Sequence, residues 1–336
     1  MQNRVTTLFL LLLFIVATLL FSGCGSASVA PSNKQKVIPA WVNALPPSDN
    51  DDYMYGMAID VDRKSAIYSA LNDMVAKLGM TIESSYESSQ EVQGAYAKLT
   101  VNNKIKADIS KIKINNYRVI KSHRLNYREF AVVVEVDKRK FVNGLKESLE
   151  QEKESISQEQ KALVGRDIIT IYNTKKRLLK RAESLLPVIF IIAELDKKFN
   201  KKANLDFVLR AKKEFLNASK RLRFYVTGNR ASTRFVDKIK NYLAQKGFHV
   251  VDSKRDALKI NVKTTSRISK NGFAIAIFGI DISVYDKEMR IGGKNIIIKE
   301  RYSGSLESAY KNASIYFEKE MKSKGINEVI GINLLL

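Results

Sequence analysis

The chain has 336 residues, 45% hydrophobic and 27% charged, with 57 Lys+Arg against 35 Asp+Glu and a single cysteine. That length allows two modest domains with real cores, and the hydrophobic share excludes a wholly disordered chain. One cysteine excludes an internal disulfide and a cysteine-built metal site. His123 and His249 stand in no metal-ligand spacing and support no Ser/His/Asp triad, so neither metal nor cofactor is expected.

Arg4 gives a basic start, and Leu8 to Phe21 is apolar apart from Thr18. Its length of about 14 residues fits a signal-peptide core and falls short of the roughly 20 that a membrane-spanning helix needs. Ser22-Gly23-Cys24 follows and resembles the bacterial lipobox. The resemblance implies that residues 1–23 are a lipoprotein signal peptide, and that Cys24 carries a diacylglycerol thioether and an acylated amino group. Each buried methylene contributes about 0.8 kcal/mol, so two or three acyl chains on one cysteine anchor firmly where one would not. Gly25, rather than Asp, follows the cysteine, which by the enterobacterial sorting rule implies the outer membrane, on either face. Residues 24–37 are small and polar and read as a flexible tether.

Residues 38–147 read as the first folded domain. Tyr53 to Ile59 alternates as a strand, and Asp62 caps a helix whose apolar positions, Ala66, Ile67, Ala70, Leu71, Met74, Val75 and Leu78, follow one face. Gly79 is the expected stop, with a strand from Met80 to Tyr86. A helix is expected over Ala95–Lys111, and strands over Tyr117–His123 and Phe130–Val136, with a helix starting at Lys138. Pro39-Ala40-Trp41-Val42, Tyr55-Gly56, Ala66 and Ala70, Leu78-Gly79 and Ile82 together resemble the LPP-twenty lipoprotein family over about this first third of the chain. The resemblance implies an envelope lipoprotein without known enzyme activity, and some members of the family are tied to flagellar or surface structures. It passes on no catalytic residue. Trp41 and Tyr55 fit the edge of a core better than a ligand site.

Residues 148–221 lack strand signals and read as a long helical hairpin, broken or kinked at Pro187, with a turn at Asn200–Asn204. Leu185 to Ala193 is the most apolar stretch of the mature chain and is too short to span a bilayer. It reads either as a helix packed on all sides or as a tip for a partner or membrane. Lys175, Lys176, Arg177, Lys180, Arg181, Lys197, Lys198, Lys201 and Lys202 bracket it and form the candidate anionic-surface site.

Residues 222–336 read as a second α+β domain. Strands are expected over Leu222–Val226, Phe248–Val251, Ala257–Thr265 and Phe273–Tyr285, and the last pairs with Asn295–Ser303 across Ile291-Gly292-Gly293-Lys294. Helices are expected over Ser232–Gln245 and Leu306–Ser323. Laying Gly79 on Gly247 aligns the two strand-following helices as a diverged duplication. The fold class is thus α+β: two small α+β domains joined by a long helical hairpin, after a lipoprotein signal peptide.

Charge divides unevenly. Lys+Arg against Asp+Glu is 16 against 15 over residues 38–150, 17 against 9 over 151–221, and 21 against 11 over 222–336. The basic excess lies in the later part, pointing to anionic lipid or lipopolysaccharide, or simply to solvated faces. No phosphate loop is present, since Ile291-Gly292-Gly293-Lys294 has the wrong spacing, and an exported chain is not expected to meet nucleic acid. The function expected is a non-catalytic outer-membrane lipoprotein with a structural or assembly role and envelope-protein partners. The alternative is a binding module for anionic envelope lipid or lipopolysaccharide.

Overall fold

The computed structural model describes residues 38–44, 46–88, 112–269, 274–301 and 304–335. The expected signal peptide, Cys24, the expected tether and the helix expected over Ala95–Lys111 lie outside the described residues.

Three strands, β1 (Tyr53–Asp60), β2 (Tyr117–Asn126) and β3 (Glu129–Asp137), form an antiparallel sheet in the order β1-β3-β2. The run Ala131-Val132-Val133-Val134 makes β3 the central strand, with both faces buried. Such β-branched runs suit a strand covered on two sides. Helix α1 (Arg63–Ser88) lies on one face of this sheet. Asp62 starts it, as expected: Ser65 donates its backbone N–H to Asp62 Oδ1 at 2.9 Å and its hydroxyl to Oδ2 at 3.0 Å. The Asp62 carboxyl is held below its ordinary value, first by that backbone donor.

Gly79 does not end α1, and no strand follows at Met80–Tyr86. The apolar rhythm runs on from Leu78 to Ile82, which is buried in the first core, while Met80 faces solvent. A mid-helix glycine costs about 1 kcal/mol relative to alanine, less than burying an isoleucine returns. Gly56 is needed for closeness: a Cβ there would sit 2.2 Å from the Ala70 carbonyl oxygen and 2.9 Å from Met74 Cγ. Ala66 and Ala70 are fully buried along the same line, so β1 rests almost directly on the α1 backbone.

The segment between the sheets is helical, as expected. It consists of four helices packed into the structure: α2 (Lys138–Lys161), α3 (Ile168–Glu183), α4 (Leu186–Leu195) and α5 (Lys201–Arg221). The first break falls at Gly165, whose φ of +77° suits glycine, before Asp167 caps α3 through Thr170. Pro187 opens α4, where its missing N–H costs nothing, instead of kinking a longer helix. Asn200 caps α5 by accepting from the Ala203 N–H at 3.0 Å. Leu149, Ile156, Leu178, Ile189, Ile191, Ile192 and Val208 share one continuous core with Met54, Val132 and Val134 of the first sheet. The apolar stretch Leu185–Ala193 is therefore a core helix, and the binding-tip alternative is overturned. No helix among the described residues is long and apolar enough to cross a membrane.

The second sheet, ordered β5-β4-β6-β7-β8, combines β4 (Arg223–Gly228), β5 (His249–Val250), β6 (Leu258–Ser269), β7 (Ile275–Asp286) and β8 (Met289–Arg301). β4 pairs parallel with β5 and β6, while β6, β7 and β8 form an antiparallel meander. Helices α6 (Thr233–Gln245) and α7 (Leu306–Lys324) meet through Phe235 and Phe317, with ring centroids 5.5 Å apart at 86°. The hairpin turns at Lys287-Glu288, so Ile291-Gly292-Gly293-Lys294 lies inside β8 and does not form the turn. Its glycines serve contact: a Cβ on Gly292 would stand 2.3 Å from the Gly331 carbonyl oxygen. The helical turn Asn327–Gly331 thus packs backbone against backbone on β8.

The expected duplication does not hold. Gly247, at φ +79°, lies just beyond the end of α6, whereas Gly79 lies within α1, and the first sheet is wholly antiparallel. Amphipathic helices near glycines converge on such a pattern.

Two outcomes test this packing. Gly56→Val should lower the unfolding free energy by about 3 kcal/mol or more in chemical denaturation, because β1 cannot move away from α1 without opening the core. Glu318 of α7 is paired with Lys238 of α6 and with Lys322, and these hold its carboxyl down to about 2. Its contribution is present above the ordinary glutamate range and is lost as pH falls from about 4.5 toward 2. In denaturation runs across that window, Glu318→Gln should therefore remove roughly 1 kcal/mol of acid dependence.

Candidate anionic-surface interface

The bracketing cations are mostly occupied inside the fold. Lys175 pairs with Glu214 of α5 at 3.3 Å, and Lys197 with Glu194 at 3.3 Å. Lys176 donates to the Leu335 carbonyl at 3.2 Å, and Lys201 Nζ lies 4.7 Å over the Phe190 ring. Arg177 pairs with Glu159 at 2.7 Å. Arg181 reaches Glu152 at 2.7 Å, Ser155 at 2.9 Å and also Glu159, tying α3 to α2. Glu152, hydrogen-bonded to it, raises the Arg181 guanidinium above its ordinary value. Lys180, Lys198 and Lys202 are exposed. The arrangement does not bring these nine residues together as a free basic surface, because five of them balance carboxylates or a carbonyl on neighbouring elements and Lys201 covers a ring.

A free basic surface occurs instead on the second sheet. Along β6, Leu258, Ile260, Val262 and Thr264 point to the buried face. The alternate positions Lys259, Asn261, Lys263, Thr265 and Arg267 must then point to the opposite, open face. Register extends that face across the meander: Lys263 stands opposite Asp281, Thr265 opposite Gly279, and Arg267 opposite Ile277. On β8, Asn295, Ile297 and Lys299 continue these rows, and Arg301 stands opposite Ile275. Ile297 is 65% exposed among them.

The carboxylate in these rows is Asp281. Among the described residues, no ion pair engages Lys259, Lys263, Arg267, Lys299 or Arg301. On the α7 side of the unit several cations are paired, as with Lys238 and Lys322 on Glu318 and Lys324 on Glu320. Open cations interleaved with isoleucine suit a flat anionic partner better than a catalytic step. The charge excess over 222–336 pointed to this domain. The polar half of the β6 alternation carried the rest of the signal, and only the strand register assembles it into a face.

Trp41 lies beside β2, with Lys121 Nζ 5.9 Å from its ring, and Tyr55 is half-buried at 6.5 Å from the Tyr53 ring. Neither is among the side chains packed in the first core. No group of three or more metal-ligating side chains occurs among the described residues.

No protein-family model matches the chain, and no curated protein does. Among solved structures it is similar to a secreted protein of the human pathogen Helicobacter pylori, at 12% identity over 82% of this chain and 99% of that one, with a TM-score of 0.43. It is also similar to a minor lipoprotein of Acinetobacter baumannii, at 11% identity over 31% of this chain and 95% of that one, with a TM-score of 0.25. A third similarity is to rare lipoprotein B from Shewanella oneidensis, at 9% identity over 31% of this chain and 89% of that one, with a TM-score of 0.23. Likenesses at this level carry no argument about activity or partner.

Arg181→Ala separates the two basic regions. It should lower the unfolding free energy by about 1–2 kcal/mol, because α3 would no longer be tied to the Glu152, Ser155 and Glu159 side chains of α2. Sedimentation of the variant with vesicles of phosphatidylglycerol should match the parent.

Proposed function

We propose that this chain is a non-catalytic lipoprotein of the bacterial outer membrane, held by lipid on Cys24, with a structural or assembly role in the envelope. The observation that carries the reading is the open face of the second sheet, whose cations have no carboxylate partners among the described residues. The lipobox-like Ser22-Gly23-Cys24 supplies the anchor in this reading. The LPP-twenty resemblance supports it in one physical respect. Gly56, Ala66 and Ala70, which carry that resemblance, form the line on which β1 meets α1. They preserve a fold and supply no chemistry, which fits a protein that works by holding partners. A flagellar or surface complex is the kind of assembly the resemblance suggests.

One observation favours the second reading, a binding module for anionic lipid or lipopolysaccharide. Ile275, Ile277 and Ile297 lie between the cations, so apolar side chains can enter the headgroup layer while Lys and Arg meet phosphates. Each basic residue near an anionic membrane contributes about 1 kcal/mol, so several act together measurably.

The test has two arms on the full-length chain. Cys24→Ser should move the protein from the outer-membrane fraction to the soluble fraction, and retention there would overturn the anchor. Combined Lys263→Glu, Arg267→Glu and Lys299→Glu should weaken binding to phosphatidylglycerol vesicles at least tenfold and leave phosphatidylcholine vesicles unbound. If crosslinking recovers envelope proteins from the parent and vesicles do not bind, the structural reading stands and the lipid reading falls. If neither binds, the interface is wrong.

A further inference from the structure

A second basic feature lies where the helical segment meets the second sheet. A cleft of about 530 Å³ is lined by Arg166, Lys220, Arg221, Arg223, Lys254 and Lys287, with Asp256 and Asp286 as its carboxylates. It is built from residues other than those of the open sheet face. From this cleft we infer a binding site for a small ligand carrying two or more phosphate charges on a sugar- or glycerol-sized body, an inference that goes beyond the anchoring role proposed above.

Four stretches of chain converge here. Arg166 precedes α3, Lys220 and Arg221 close α5, and Arg223 opens β4. Lys254 and Asp256 lie in the connection between β5 and β6, and Lys287 forms the β7–β8 turn. Two of the cations have a structural use. Lys220 and Arg221 stand in the last turn of α5, where positive charge offsets the helix dipole. The other four come from loops and strand starts, where no helix end needs them. Six cations against two carboxylates leaves the lining strongly positive, and among the described residues the cations make no ion pairs. Concave walls of one sign concentrate counter-ions, so this is where an anion gains most from the chain's net charge.

The backbone gives a second, independent observation. The two non-glycine residues with positive φ among the described residues are Asp256 and Lys287, both at +54°, and both line this cleft. They belong to separate turns. Aspartate tolerates that conformation, but a lysine with a full side chain is uncommon there, and strained residues gather at binding sites. Glycine would relax the β7–β8 turn, yet the turn presents a cationic side chain to the cleft.

Size and lining narrow the ligand class. The volume falls within the range of small-molecule sites and exceeds the need of one phosphate ion. Ile168, Ile171 and Leu258 supply an apolar side on which a sugar ring or glycerol backbone can lie. Lysine and arginine together hold phosphate by charge and by paired N–H donors. Such a group exists both as a free phosphosugar and as a lipid headgroup.

Titration calorimetry on the full-length chain in detergent tests the site, with glucose 1,6-bisphosphate as the soluble probe and glucose as the uncharged control. Vesicles containing phosphatidic acid form the membrane arm. Bisphosphate binding, with glucose silent, assigns a free phosphosugar. Binding to the vesicles, lost in the cleft variants, assigns a headgroup. Arg166→Ser with Lys254→Ser should weaken whichever binds at least tenfold. Lys287→Gly should also weaken it, while the melting temperature stays level or rises because the turn is relaxed. The open-face variant, Lys263→Glu with Arg267→Glu and Lys299→Glu, should retain bisphosphate binding, so failure of the sheet interface and failure of the cleft remain distinguishable. No binding by either probe, or equal binding by the cleft variants, overturns the inference.

Discussion

The arrangement depends on one helix that belongs to two cores. Ile169 and Tyr172, in the first turns of α3, are buried with Phe224 and Ile260 of the second unit. Leu178 and Ala182, farther along the same helix, are buried with Val134 and Ile191 of the first. Sixteen residues span about 24 Å, so a single rigid element fixes the spacing of two sheets. The junction is reinforced at both ends. At the second core, the Tyr172 ring meets Phe215 at 5.6 Å and Phe248 at 5.9 Å. Between the cores, the Asn173 side chain donates to the Asn333 carbonyl at 2.6 Å and accepts from the Leu335 N–H at 2.8 Å. At the first, Arg181 clamps α2. The cleft follows from this geometry, because it forms where α3 begins and α5 ends against the edge of the second sheet.

Charge is used differently on the two sides of that sheet. On the helical side, acids and bases pair, and each such surface pair contributes little, about 0–1 kcal/mol. On the open side, like charges occupy neighbouring rows: Arg267 and Lys299 flank Ile277 in one row, and Arg301 follows in the next. An anionic surface laid on the face would add attraction to these cations.

Much of the fold was legible because it rests on local chemistry. Asp62 caps its helix, the turn at Asn200 separates two helices, β6 and β7 alternate, and the α+β order follows. What was illegible depends on distant neighbours. Gly79 and Gly247 look alike in sequence, yet one is carried inside a helix by the burial of Ile82, while the other takes a positive φ just past the end of α6. Pro187 reads as a breaker wherever it stands, and only the preceding end of α3 makes it a helix opener. Gly292 and Gly293 signal a turn in isolation, but they are small because Gly331 presses on them from about forty residues away. The bracketing cations were hard to read for the same reason. Lysines around an apolar stretch resemble a surface until their partners on α2 and α5 are seen. Positions two apart on β6, by contrast, acquire meaning once β7 and β8 stand beside them.

These features bear on how strong the basic face must be. On the proposed reading, lipid on Cys24 keeps the chain at the membrane. Tethering turns a second contact into an intramolecular event at high effective concentration. A face that would bind only weakly from solution is then sufficient, and a handful of exposed cations with a few isoleucines supplies an interaction of that order. The division of charge along the chain is consistent with this logic. The unit next to the anchor is nearly neutral, at 16 cations to 15 anions, whereas the unit farthest from it carries 21 cations to 11 anions. Lipid fixes position in this scheme, and α3 fixes the orientation of the second sheet relative to the first unit. The electrostatic face then selects among the surfaces that the tether allows it to reach.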